Sequence, residues 1–128
     1  MEHLTFGKHV AVDVWGVSFD LLNDREGLEQ YLIKAVELSG ATVLSSQSQQ
    51  FQPQGVSVLV MLSESHISIH TYPEKGFAAL DCYTCGHLVK PETAIQYLLE
   101  RLQPSQVHSK MLQRGTGSIE VIGETVNR

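Results

Sequence analysis

From His9 to Trp15 the chain alternates, with Val10, Val12 and Val14 on one side and Ala11, Asp13 and Trp15 on the other, which is the period of a half-buried strand. Asp24 can cap a helix whose Leu28, Tyr31, Leu32, Ala35 and Leu38 share a face, and Gly40 ends it. A strand is predicted over Thr42 to Gln50, then a turn at Pro53, Gln54 and Gly55. A further strand runs from Val56 to Ser63, with Val56, Val58, Val60 and Leu62 on one side. The second half repeats this order. After an additional strand, Ser65 to Tyr72, and a turn over Pro73 to Gly76, Phe77 to Thr84 is extended. Pro91 then opens a helix with Ala94, Ile95, Leu98 and Leu102 as its buried stripe. Strands over Ser105 to Gln113 and Ser118 to Ile122 close the pattern.

The halves share residues as well as order. Ala11-Val12-Asp13-Val14-Trp15-Gly16 resembles Ala79-Leu80-Asp81-Cys82-Tyr83-Thr84, each just before a helix and each with its acid in the same place. This implies two β-α-β-β units and an α+β fold: an antiparallel sheet with both helices on one face. No Pro, Ser or Gly tract divides the chain, so residues 1–128 are expected to form one domain.

Composition adds limits. A chain of 128 residues with 42% hydrophobic and 18% charged residues can bury its own core, and it is neither disordered nor a charged coiled coil. The longest apolar run, Val58 to Leu62, is too short to span a membrane, and Met1 to Val10 lacks a signal peptide's apolar stretch, so a cytoplasmic protein is expected. Nine Lys and Arg against fourteen Asp and Glu, scattered singly, argue against a nucleic-acid surface.

Three motifs are weak. Cys82 and Cys85 form a C-x-x-C, but on a strand residues three apart face opposite ways, so the two thiols do not meet and Cys82 is expected in the core. His66 and His70 share a strand face without a third ligand at a clear spacing, so no metal is expected. Gly115-Thr116-Gly117 lacks the Lys and Ser/Thr of a phosphate loop and suits a hairpin turn.

The informative stretch is Leu62 to Glu74, which crowds hydroxyls, imidazoles and carboxylates around Ile67 and Ile69. Pattern alone favours a solvated edge strand there. The combination is more specific. Ser63-Glu64-Ser65-His66, then Ile69-His70-Thr71, an aromatic, Pro73 and Glu74, then Asp81 and Thr84-Cys85-Gly86, resembles the short prokaryotic S-adenosylmethionine decarboxylases over most of the chain.

That resemblance implies a pyruvoyl enzyme made from a precursor that cuts itself at the Glu64-Ser65 bond, giving a beta chain of residues 1–64 and an alpha chain of residues 65–128. Ser65 Oγ would attack the Glu64 carbonyl carbon to form an ester. Elimination and loss of ammonia would then leave a covalent pyruvoyl group derived from Ser65. Its ketone forms a Schiff base with the substrate amine and accepts the electrons freed by decarboxylation, so no diffusible cofactor is needed. Carried over residue by residue, Ser57 assists processing, His70 takes the proton during self-cleavage, and Cys85 donates the proton that completes decarboxylation. Without the resemblance, ordinary strand polarity and core packing are the preferred reading of Ser57 and Cys85.

The implied substrate is S-adenosylmethionine and the product its decarboxylated propylamine, the aminopropyl donor for spermidine synthesis. Phe51 and Tyr72 would stack on the purine and Glu74 would hold the sugar hydroxyls, although relatives often carry Trp where Tyr72 stands. The uncovered sheet face implies back-to-back pairing into a four-layer αββα homodimer, with two alpha and two beta chains after cleavage. Arginine or ornithine as substrate, or an unprocessed binding paralogue, remain the alternatives.

Overall fold

Alternation is the rule that builds the sheet. Strand β1 (Gly7–Trp15) buries Val10, Val12 and Val14 and leaves Ala11, Asp13 and Trp15 outside the core. The same two-residue period shapes β3 (Val56–Leu62), β4 (Ser65–Tyr72) and β5 (Phe77–Cys85). The computed structural model describes residues 5–63, 65–86 and 89–127. Among these, β2 (Val43–Gln50), β6 (Gln106–Arg114) and β7 (Glu120–Asn127) complete one antiparallel sheet in the order β2-β3-β4-β5-β1-β6-β7.

Helices α2 (Arg25–Leu38) and α3 (Pro91–Leu102) lie against the same face of this sheet and against each other. Asp24 caps α2 as expected, its carboxylate accepting from the Gly27 N–H at 3.0 Å, and Gly40 follows the helix at φ 92°. The core forms where Leu28, Leu32, Ala35 and Val36 of α2 and Ala94, Leu98 and Leu102 of α3 meet the inward Val, Ile and Leu rows of the strands.

Several boundaries differ from expectation. Leu38 is 48% exposed, because at roughly 100° per residue it falls to the flank of the stripe, and Val36 fills the core in its place. A short helix, α1 (Phe19–Leu22), precedes α2, with Ser18 accepting from the Leu21 N–H. It is held by Thr71, whose buried hydroxyl donates to the Leu22 carbonyl at 2.7 Å and accepts from the Val56 N–H at 2.9 Å. Pro73–Lys75 forms one turn of 3-10 helix, and the last strand begins two residues later and runs five further than Ser118 to Ile122.

The repeated order of elements is laid down differently in each half. From β1 the chain crosses under α2 to the far edge at β2 and works inward, whereas from β5 it crosses to β6, beside β1, and works outward. The matched motifs nevertheless face each other. Ala11 pairs Asp81 and Asp13 pairs Ala79, a local two-fold centred on Val12 and Leu80.

Candidate active site

Helices cover one sheet face, so functional groups gather on the other. That open face carries Leu59 and Met61, 44% and 51% exposed, around a shallow hollow of about 930 Å³. Ser57, His66, Ser68, His70, Asp81 and Tyr83 line it.

At the C-terminal end of β4, Ser57 and His70 are cross-strand partners, and Ser57 Oγ lies 2.8 Å from His70 Nδ1. Tyr72 follows on the same face, its ring 5.7 Å from Phe77, which in turn lies 4.4 Å from Trp15. Glu74 accepts a hydrogen bond from the Gln54 side chain at 3.3 Å. Phe51 starts the turn that carries Gln54, its N–H donating to the Gly55 carbonyl at 2.8 Å. Four of the expected site residues, Ser57, His70, Tyr72 and Glu74, therefore stand together, with Phe51 on the adjoining turn.

At the N-terminal end of β4 stands another pair. Ser65 is the first residue of the strand, Cys85 the last of β5, and the Cys85 N–H donates to Ser65 Oγ at 3.3 Å. Next to Cys85, the hydroxyl of Thr84 is fully buried with no hydrogen-bond partner among the described residues. Glu64 lies outside the described residues. Ser65 and His70 are five positions apart on one strand, about 17 Å along its axis, so one chain does not bring them together.

Between the two ends lies a network that sequence reasoning missed. Asp81 accepts from Ser68 at 2.5 Å, from His9 at 2.9 Å and from His66 at 3.3 Å. Arg114 Nη1 lies 3.1 Å from His9 Nδ1. A guanidinium only donates, so Nδ1 accepts and the His9 proton sits on Nε2, facing Asp81. Burial works to raise the Asp81 pKa, but the hydrogen bonds from Ser68, His9 and His66 outweigh it and hold the carboxyl below its ordinary range. A sequence signal existed in part: period two on β5 puts Asp81, Tyr83 and Cys85 on one face. Nothing local pointed to His9 or Arg114, which arrive from β1 and β6.

The two cysteines part as expected. Cys82 is buried under the helices, where burial first and then the charges of Asp81 and Glu92 push its thiol up to about 12. Cys85 is half-buried on the opposite side of the strand, and the two cysteines form no disulfide. Among the described residues no three His, Cys, Asp or Glu side chains are grouped to hold a metal ion, and no helix is long and apolar enough to cross a membrane.

Comparison with known proteins bears on this geometry. A sequence model of the S-adenosylmethionine decarboxylase family matches residues 8–115. An S-adenosylmethionine decarboxylase proenzyme of Brevibacillus brevis is 62% identical over 95% of this chain and 92% of its own length. S-adenosylmethionine decarboxylase proenzyme 2 of Bacillus cereus is 58% identical over 93% of this chain and 97% of its own. The crystal structure of the adenosylmethionine decarboxylase from Aquifex aeolicus superposes with a TM-score of 0.83 at 38% identity, covering 89% of this chain and 94% of that one. With the family's sequence model matched from β1 to the end of β6, and its fold shared with a relative of known structure, the chain belongs to the S-adenosylmethionine decarboxylase family.

Proposed function

We propose that this chain is a proenzyme that cleaves itself between Glu64 and Ser65 and then decarboxylates S-adenosylmethionine, with a pyruvoyl group formed from Ser65. The observation that supports this reading is the hydrogen bond from the Cys85 backbone N–H to Ser65 Oγ at 3.3 Å, which joins the two strand ends that carry these residues. The surroundings suit the group. A backbone N–H at 3.3 Å and the Thr84 hydroxyl, unpartnered among the described residues, are neutral donors of the kind a carbonyl oxygen accepts.

During processing Ser65 Oγ attacks the Glu64 carbonyl carbon and the acyl group passes from nitrogen to oxygen. His70, held by Ser57 at 2.8 Å, takes the proton that allows the ester to eliminate. In turnover the pyruvoyl ketone supplies the electron sink for the departing carboxylate. Cys85 then delivers a proton to the substrate α-carbon. Phe51 and Tyr72 stack on the purine, and Glu74 holds the sugar hydroxyls.

His70 cannot perform its step on the Ser65 of its own strand across about 17 Å. Two chains paired through their open faces, about a two-fold axis running across the strands, set the Ser65 end of one over the His70 end of the other. Such pairing also covers Leu59 and Met61, whose exposure is otherwise unexplained. The working molecule is thus a homodimer, two alpha and two beta chains after cleavage.

Intact mass separates the readings first. Fragments of residues 1–64 and 65–128, the latter lighter than its serine form, are expected. An active chain that stays whole overturns the proposal. Release of labelled carbon dioxide from S-adenosylmethionine, and not from arginine or ornithine, is the second arm. Release from either amino acid instead would keep the pyruvoyl chemistry and change the substrate.

A further inference from the structure

Cys85, Gly7 and Arg114 are consecutive partners across β5, β1 and β6. With no side chain on Gly7, a gap opens between the thiol and the guanidinium, and the Tyr83 ring fills it. A Cβ on Gly7 would lie 2.5 Å from the Tyr83 hydroxyl oxygen and 2.7 Å from the ring carbon that bears it. The ring is fixed from three further sides. Arg114 stands 5.2 Å from its centroid, His9 meets it edge-on at 5.7 Å, and His66 lies along it at 6.4 Å.

We propose that Tyr83 is a positioning residue for Cys85: its phenol, laid over Gly7, donates a hydrogen bond to the Cys85 sulfur and aims the thiol at the Ser65 end of the site. Tyr83 and Cys85 are two apart on β5 and share one face, and Gly7, over which the phenol lies, is the cross-strand partner of Cys85. Burial, then the charge of Cys85 and the hydrogen bond to it, raise the Tyr83 pKa, while Arg114 pulls it down. The phenol therefore keeps its proton where an ordinary thiol titrates. Among the described residues, the titratable and charged groups facing this pair are His9 from β1, His66 from β4, Asp81 from β5 and Arg114 from β6. The inference rests on the proposed role of Cys85 as the decarboxylation acid.

Tyr83→Phe keeps the ring and removes only the donor, and Gly7→Ala keeps the donor and displaces it. The mature protein is alkylated over a pH series, with the Cys85 peptide followed by mass spectrometry, and steady-state turnover of S-adenosylmethionine is measured beside it. A hydrogen bond from the phenol favours the thiolate, so in both variants the alkylation midpoint should move to higher pH, by about one unit in Tyr83→Phe. Loss of aim should lower kcat about tenfold with KM retained. An unchanged midpoint and unchanged kcat in Tyr83→Phe would overturn the inference, whatever Gly7→Ala does. The alkylation arm needs no substrate. A parent protein that fails to decarboxylate S-adenosylmethionine therefore refutes the functional reading while the Tyr83 contact is still tested.

Discussion

The two ends of β4 differ in chemistry. At the N-terminal end Ser65, the proposed nucleophile, accepts from the backbone N–H of Cys85, the proposed acid. At the C-terminal end His70, the proposed base, meets Ser57, and Tyr72 and Glu74, proposed to bind the nucleoside, follow. At the first end the neighbouring imidazole, His66, is engaged by Asp81 at 3.3 Å, and the second end has no candidate for a covalent centre. On the proposed reading each end is half of a site, and β4 is the spacer that keeps the halves of one chain apart.

Removing the centre of the first end has the largest expected effect. Ser65→Ala should leave the chain whole and inactive, read directly by intact mass. Cys85→Ala should separate the two reactions. Cleavage proceeds, and decarboxylation falls by about a hundred- to a thousandfold, the usual scale for loss of a positioned acid. His70→Ala, at the other end, should instead block cleavage. If Cys85→Ala stops processing and His70→Ala spares it, the division of labour between the ends is wrong.

Asp81, midway between the ends, gives a smaller effect with a definite sign. Its folded pKa is depressed, so its contribution to stability is present above the ordinary carboxylate range and is lost as pH falls through the folded value. Asp81→Asn should lower the midpoint of thermal unfolding near neutral pH and flatten its fall below about pH 4. An unaltered acid limb would remove Asp81 from the account. Thr84→Val is expected to matter least for stability. It deletes a buried hydroxyl with no partner among the described residues, so thermal unfolding should be unchanged or slightly later, by about 1 kcal/mol. Any loss should appear in cleavage or turnover. Clear destabilisation would mean that the hydroxyl is satisfied in solution.

Much of the fold was legible because alternation is local. Val10, Val12 and Val14 announce both a strand and its buried side, and Pro91 with its apolar stripe announces α3. The motif residues were legible one by one. Their grouping was not, since His70 is near Ser65 in sequence and far along an extended strand, whereas Cys85 is distant in sequence and adjacent in space. Gly7 and Tyr83 gave no signal, because a missing side chain acquires meaning only from the ring that occupies its place. Leu38 was misplaced for a similar reason: the rim of a helical stripe is decided by what packs beside it.

The central claim, that each site draws on both chains, is tested by mixing two inactive ones. Co-expressed Ser65→Ala and His70→Ala chains should form mixed dimers in which one site combines the intact Ser65 of one chain with the intact His70 of the other. With random pairing half the dimers are mixed and each has one working site of two, so activity should recover to about a quarter of the parent value. Recovery on that scale, with cleavage confined to the His70→Ala chain, is the predicted result. No cleavage and no activity in a verified mixed dimer would contradict the account.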